Sequence, residues 1–247
     1  MSASEQVSFF DPATRDCPYD AYKTLRDERP VWQDPVTGMF FLTRYEDIRY
    51  ALTEPEIFTN AVGSAAGLTE KAVKPTDPEE LANHEQMVAE EAVLTAMYEE
   101  HGWLPAPTLD ALDEPKHGEL RRMFDHAFRP KRIMELDPFV ENLAKELFDA
   151  FIDKGRCEWV SEFAIPLPLY TIGKQMGVPP SDMPMIKAWT DAWVQRMGLD
   201  QTFDERKWSA QQEIEAQQYF QKHFDRLRET PEDTVLSDLV NSAIPDW

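Results

Sequence analysis

The fold of this protein is decided by residues 113–133, which read DEPKHGELRRMFDHAFRPKRI. At the angular step of an α-helix, one stripe collects four apolar side chains: Leu120, Phe124, Ala127 and Phe128. His117 and Arg121 fall on the same stripe, one turn apart. The spacing therefore predicts a helix over residues 115–128 that carries two basic groups in line with its apolar face.

Arg121 needs an anion if this face is buried, because a buried guanidinium without a partner costs several kcal/mol. One partner would be an acidic side chain from another helix, which is the more common arrangement for a charged group on a helix face. The other would be the carboxylate of a bound ligand, gripped by Arg121 together with His117 through charge-assisted hydrogen bonds. Periodicity leaves both alternatives open.

Composition excludes several classes of protein. The 247 residues are 42% hydrophobic and 29% charged, as in an ordinary globular protein, and the net charge of −21 disfavours binding to nucleic acid or to anionic lipid. No apolar run is long enough to cross a bilayer, and the first residues lack a secretory pattern, so we expect a cytoplasmic protein. Cys17 and Cys157 have no metal-ligand spacing and the five histidines do not cluster, so no metal site formed by protein side chains is predicted.

The rest of the chain is predicted to be mainly helical with a small β-sheet. Val31–Gln33 and Met39–Thr43 flank a Pro/Gly turn and are typical of a hairpin. Residues 157–160 resemble a further short strand. Helices are predicted over residues 19–28, 45–52, 115–128, 138–152, 163–176, 184–197 and 204–227.

Residues 68–101 are acidic and rich in Ala and Glu, and are predicted to be helical from Asp77 onward. Their apolar stripe is modest, and consists of Leu81, Val88, Ala92, Thr95 and Ala96. The segment is interpreted either as an inserted lid or as a solvated helix, and the sequence does not separate the two.

The pattern Asp-x-Pro-x-His-x-x-x-Arg at residues 113–121 resembles the segment that opens the C helix of cytochrome P450 proteins. In that family the His and the Arg bind haem propionates, and the matching positions here are His117 and Arg121. Residues 9–32, 41–60 and 162–182 also resemble successive parts of the N-terminal portion of this family. The similarity is greatest to its soluble bacterial-type members, which have no membrane anchor.

The resemblance implies a cytochrome P450-like fold over residues 1–247, as the N-terminal portion of a single domain truncated before the oxygen-activation helix. Residues 61–112 would form an enlarged B–C connection, and residues 113–128 the C-like helix. The implied activity is that of a haem-thiolate monooxygenase, which inserts one oxygen atom of O2 into an apolar small molecule.

Three family hallmarks are missing from the sequence: the Ala/Gly-Gly-x-x-Thr helix, the Glu-x-x-Arg motif and the Cys loop that ligates haem iron. Neither Cys17 nor Cys157 lies in a context that resembles that loop. We therefore expect the iron ligand to lie outside this chain, which would be inactive alone. The rival interpretations are a non-catalytic helical protein that binds a small molecule, and a fragment that does not fold by itself.

The resemblance also indicates which residues contact the substrate. Trp103 and Thr108 belong to a segment that resembles the family's pocket-lining entry to the C helix. Trp193 and Met197, late on a later helix, are candidates for a second wall. Ordinary core packing is the alternative for all four residues.

Positive charge is concentrated after residue 115. Residues 116–132 contain six basic side chains against two acidic ones: Lys116, Arg121, Arg122, Arg129, Lys131 and Arg132 against Glu119 and Asp125. One explanation is a helix C-terminus whose dipole favours cations. The other is a docking face for an acidic redox partner such as a ferredoxin, with Arg122 and Arg129 as the main contacts.

Overall fold

The computed structural model describes residues 7–9, 11–35, 38–60, 78–196, 198 and 201–242, with only the backbone of residues 78–80. The chain divides into two compact units, Met1–Ser64 and Ala65–Trp247. Both are built mainly from helices, and the sheet has two strands, so the predicted fold class is confirmed. That residues 1–247 belong to one domain stays a prediction. Among the described helices, none is both long and apolar enough to span a membrane.

The first unit contains a β-hairpin between short helices. Its helices are α1 (Pro12–Asp16), α2 (Tyr19–Glu28) and α3 (Tyr45–Thr53), and its strands are β1 (Val31–Gln33) and β2 (Phe40–Leu42). The strands are antiparallel with Trp32 opposite Phe41, which confirms the predicted hairpin. Trp32 is buried, and its ring packs against those of Phe9 and Phe41. These aromatic contacts hold the hairpin against the N-terminal segment.

The regular secondary structure that is described in the second unit is all helical. Its α-helices are α4 (Pro78–His101), α5 (Lys116–Ala127), α6 (Pro130–Met134), α7 (Asp137–Asp149), α8 (Pro166–Met176), α9 (Met183–Arg196), α10 (Phe203–Glu229) and α11 (Val235–Asn241). Short 3₁₀ turns span Leu109–Ala111, Ile152–Lys154 and Pro180–Asp182. The predicted helices are thus present, with ends shifted by a few residues.

Helix α10 is the centre of the second unit, and α4, α9 and α11 all pack against it. It begins at a capping box, in which the Thr202 hydroxyl accepts a hydrogen bond from the Glu205 amide while the Glu205 carboxylate accepts one from the Thr202 amide. This arrangement satisfies two amides that lack helical partners. The buried face of α10 includes Ala210, Ile214 and Leu227.

The apolar stripe predicted for α4 is wrong. Leu94 and Tyr98 are buried against Ala210 and Ile214 of α10, while Val88 is more than half exposed. Positions 94, 97 and 98 lie on one face of the helix and carry large apolar side chains. Burial of that face removes more apolar surface from water than burial of the small residues in the predicted stripe would. The C-terminal half of α4 is therefore part of the core, and its N-terminal half is mostly exposed.

The strand predicted at residues 157–160 is also wrong. The Glu158 carboxylate accepts hydrogen bonds from the amides of Val160 and Ser161, at 3.3 and 2.6 Å. These bonds start a π-helical turn over Val160–Ala164, because they satisfy the amides that a strand would have offered to a neighbour. The apolar residues there pack by their rings, with Trp159 stacked on Phe163.

Candidate functional site

The first turn of α5 is held by the side chain of Glu114. Its carboxylate accepts a hydrogen bond from the Gly118 amide at 3.2 Å and lies 3.4 Å from Nδ1 of His117. A Cβ on Gly118 would lie 2.6 Å from the Glu114 carboxylate, so glycine is what lets this carboxylate fold over the helix start. Pro115 is the N-cap of α5, where its missing amide removes no helical hydrogen bond.

Arg121 lies one turn after His117, and its Nε donates to the Asp125 carboxylate at 3.0 Å. The Arg121 side chain is 59% exposed and that of His117 is 39% exposed. The apolar stripe is buried only at its far end, where Ala127 is fully enclosed. Arg121 therefore has an acidic partner on its own helix, at the surface, rather than on another helix as the first alternative proposed.

Because His117 and Arg121 lie at the surface, replacing their acidic partners with a ligand costs little free energy. An exposed ion pair contributes about 0–1 kcal/mol, so a carboxylate of a bound ligand can replace Glu114 or Asp125 at small cost. His117 and Arg121 are separated by about 6 Å along the helix axis, from the rise of four residues. This donor set fits a ligand with two neighbouring carboxylates, as haem has in its propionates.

The far end of α5 is fixed by Arg132, which is buried. Its guanidinium donates to the Ala127 carbonyl at 2.9 Å, to Asp238 at 2.7 Å and to Asp233 at 2.5 Å. Burial disfavours the charged guanidinium, but the hydrogen bonds to both carboxylates outweigh burial and raise the pKa of Arg132. The same contact lowers the pKa of Asp233. Helix α5 is thereby tied to α11 and to the loop before it.

Arg129 joins the same network, and its guanidinium lies 3.2 Å from Asp238 and 3.6 Å from Asp233. Two cations of the positive stretch are thus offset by carboxylates that the sequence alone did not associate with them. Arg122 is exposed, and no described residue forms an ion pair with it. The docking role of Arg122 and Arg129 stays a prediction, and Arg122 presents the less compensated charge.

Trp103 and Thr108 lie in the segment between α4 and α5. The backbone of Trp103 is hydrogen-bonded to Gln217 of α10, and its side chain is 44% exposed. Thr108 is exposed and precedes the 3₁₀ turn that packs against α5. Its hydroxyl hydrogen-bonds Asp110 and lowers the pKa of that carboxyl.

Trp193 lines an open apolar groove of about 240 Å³ between α9 and α10. The other lining residues are Ile186, Trp189, Thr190, Ala216 and Phe220. Trp103 and Trp193 thus contact different residues of α10, and contact with substrate stays a prediction for both. Met197 lies outside the described residues.

Two residues of consequence were not found from the sequence. Arg132 was counted only as surface charge, since its partners lie about a hundred residues away. Gln217 stands at the position that continues the apolar row of Ala210 and Ile214 on α10, at spacings of four and three. A polar residue in such a row is a signal that could have been used, because a buried amide needs specific partners.

Comparison with known proteins finds similarity to monooxygenases and related enzymes. No family model matches the chain. It is 26% identical over 227 residues to a steroid C26-monooxygenase of Mycolicibacterium smegmatis, covering 91% of this chain and 47% of that protein. It is also 26% identical to cyclomarin C epoxidase CymV of Salinispora arenicola, covering 90% of this chain and 49% of the relative.

Solved structures agree with the sequence comparison. Cytochrome P450 CYP109Q5 from Chondromyces apiculatus matches 95% of this chain and 50% of its own, with 26% identity and a TM-score of 0.63. Cytochrome P450 CREJ, in complex with (4-ethylphenyl) dihydrogen phosphate, matches with a TM-score of 0.73 at 24% identity, over 90% of this chain and 51% of its own.

By sequence and by fold the chain is thus similar to proteins of the cytochrome P450 family, whose members bind haem. The chain spans about half the length of the curated relatives it matches.

Replacing Arg132 with methionine is expected to lower the free energy of unfolding by about 1–3 kcal/mol. The substitution leaves the Ala127 carbonyl without its donor and removes the closer of the two cations from Asp233 and Asp238, so that Arg129 remains beside them. Denaturant titration at neutral pH measures the loss. Arg122→Met, at an exposed position of α5, is the matched control and should change stability by less than about 0.5 kcal/mol.

The stability lost in Arg132→Met should shrink in acid. The pKa of Asp233 is lowered from its ordinary value of 3.8 by the Arg132 guanidinium. Its contribution to stability is therefore complete above that ordinary value and is lost as the pH falls through the lower folded-state pKa. Unfolding of both proteins is compared from neutral pH down to about pH 3. A difference that stays constant over this range contradicts the assignment.

Proposed function

We propose that this chain is part of a haem-thiolate monooxygenase that inserts one oxygen atom of O2 into an apolar small molecule. The pair of donors at the start of α5 is the observation that carries the proposal. His117 and Arg121 lie one turn apart and are reachable from solvent, and the partners that the described residues offer them are acidic side chains within a turn of them on the chain. The similarity of the chain to haem-binding cytochrome P450 proteins supports haem as the ligand of this pair.

In this proposal each end of α5 has a separate task. His117 and Arg121 would release Glu114 and Asp125 and would donate hydrogen bonds to the haem propionates, which would anchor the cofactor. Arg132 holds the other end of the helix against α11, so that the donors are presented from a fixed element. Haem supplies the iron at which O2 is activated, and the protein supplies anchoring and the exclusion of water.

We place the iron ligand outside these 247 residues. Cys17 and Cys157 are both exposed and free, and neither lies in a sequence resembling the Cys loop of the family. The chain by itself is accordingly proposed to be inactive. A thiolate ligand from elsewhere would complete the site and would push electron density toward the iron.

His117→Ala and Arg121→Ala are each expected to weaken haem binding by about 10-fold to 100-fold. Each substitution removes a charge-assisted hydrogen bond, which is worth about 1.5–3 kcal/mol. Haem affinity is measured by titration into the apoprotein, followed by absorbance. The double variant should bind more weakly than either single variant.

The same helix provides a matched control for this measurement. Arg122 and His126 repeat the pair of residue types at the same spacing of four, and both are exposed. Arg122→Ala and His126→Ala should leave haem affinity unchanged. Equal losses in both pairs would refute specific anchoring by His117 and Arg121. Binding of apolar molecules with no haem bound in any variant would support the rival interpretation, a non-catalytic binding protein.

The double variant Cys17→Ser and Cys157→Ser tests the location of the iron ligand. It should bind haem with the affinity and the absorption spectrum of the unmodified protein, because neither thiol contacts the iron. Loss of a thiolate-type spectrum in either single variant would place the iron ligand within this chain and overturn this part of the proposal.

We further propose that the exposed face of α5 receives an acidic redox partner such as a ferredoxin, with Arg122 as the leading contact and Arg129 as a secondary one. Arg122→Glu in the complete enzyme should slow reduction by the partner and weaken its dependence on salt, because steering between opposite charges is lost. Stopped-flow reduction at several ionic strengths measures both. Lys222→Glu makes the same change in net charge on α10 and should have little effect on the rate of reduction. Equal slowing in both variants would show that net charge, and not a docking contact at Arg122, sets the rate.

A further inference from the structure

The C-terminal half of α4 is fastened along α10 by packing and by ion pairs. Leu94 and Tyr98 pack on Ala210 and Ile214. One turn before this core, Arg206 donates to Glu90 at 3.2 Å and to Glu91 at 2.6 Å. These contacts make α4 a fixed element of the second unit along its last three turns.

A buried hydrogen-bonded group lies within the same joint. The Tyr98 hydroxyl donates to Glu213 at 2.8 Å, and Arg196 of α9 donates to the same carboxylate. Burial, followed by the hydrogen bond to Glu213, raises the pKa of Tyr98, so the hydroxyl stays protonated at physiological pH. Helices α4, α9 and α10 are thereby held together at one point.

Gln217 lies one turn beyond this core on α10 and makes a different kind of contact. Its side-chain oxygen accepts a hydrogen bond from the Trp103 amide at 3.0 Å, and its side-chain nitrogen donates to the Trp103 carbonyl at 2.8 Å. The residue is only 9% exposed. Two hydrogen bonds to the backbone of one residue, one on each side of its Cα, fix both the position and the direction of the chain there, as a neighbouring strand would.

Gly102 makes this contact possible. A Cβ at Gly102 would overlap the side-chain oxygen of Gln217, so the close approach requires a glycine. Gly102 and Trp103 thus pack closely against the buried Gln217 side chain at the point where the chain leaves α4.

The Gln217 bonds do not explain the stability of the α4–α10 joint, which already has its core and its ion pairs. What they determine is the course of the chain from Trp103 to α5. Trp103 keeps 44% of its surface exposed, so its side chain is presented outward rather than used as core.

We propose that Gln217 is a positioning residue that sets selectivity among apolar small molecules by holding Trp103 in one place. This inference rests on the proposed function, because it takes Trp103 to be a wall of the substrate site. A wall in one place rejects molecules of the wrong size, whereas a wall that moves accepts a wider range.

The first test measures position without any ligand. Gln217→Met keeps a similar volume and removes both hydrogen bonds, so the Trp103 amide should exchange with deuterium about 10-fold faster, as expected for the loss of about 1.4 kcal/mol. Gly102→Ala should speed exchange in the same way, since its methyl group displaces the Gln217 amide. Hydrogen–deuterium exchange of the intact protein, resolved to residue 103, provides the measurement.

The neighbouring glutamine is the matched control. Gln218 donates one hydrogen bond to the His101 carbonyl at 2.8 Å, from an exposed position, so Gln218→Met should leave the Trp103 amide protected. Gln217→Glu keeps an acceptor for that amide and should restore part of its protection. Unchanged exchange in Gln217→Met would overturn the positioning role.

The second test measures selectivity in the haem-loaded protein. The affinities of ethylbenzene and hexylbenzene are measured by equilibrium dialysis, and their ratio should change by about 5-fold or more in Gln217→Met. Trp103→Ala should change the ratio similarly, and the double variant should change it no further, because both substitutions remove the same fixed wall. Additive effects, or an unchanged ratio, would overturn the inference.

These outcomes separate the inference from the function on which it rests. Loss of the proposed function would appear in the unmodified protein, as a failure to bind haem or either probe. An unmodified protein that binds haem and both probes, with a ratio indifferent to Gln217, would leave the proposed function standing and refute the selectivity role alone.

Discussion

The burial of one face of α10 is the constraint on which the second unit depends. Ala210 and Ile214 receive α4, and the buried Leu227 lies where α11 packs back on α10. The Leu227 carbonyl accepts a hydrogen bond from Asn241 at 3.1 Å, which fastens α11 to the end of α10. Helix α11 carries Asp238, and that carboxylate holds Arg132 and with it the end of α5. The position of the proposed haem-anchoring pair therefore follows from a helix more than eighty residues further along the chain.

Charged groups have two different uses around α5. Arg132 is buried and pairs with Asp233 and Asp238, so its role is structural. His117 and Arg121 are exposed and form local contacts that a ligand can replace. The difference is one of solvation. A buried cation is costly to release from its carboxylates, whereas water compensates an exposed one when its partner leaves. A binding role thus fits the exposed pair and a structural role fits the buried residue.

The α4–α10 joint combines two kinds of contact, packing of apolar side chains and hydrogen bonds to the backbone. Its core and ion pairs fix one helix on another, and Gln217 holds the backbone of Trp103 just beyond the end of α4. The two kinds of contact differ in tolerance, because packing allows small shifts whereas a pair of hydrogen bonds to the backbone of one residue does not.

The sequence by itself determined the helical class, the hairpin at residues 31–42 and the placing of His117 and Arg121 one turn apart. These features depend on neighbours within a few residues, where periodicity and turn chemistry act directly. Only the tertiary structure decided which face of α4 is buried, that Arg129 and Arg132 are offset by Asp233 and Asp238, and that Gln217 holds Trp103. Each of these depends on partners about a hundred residues apart, and local patterns carry no record of which distant group will compensate a charge or an amide.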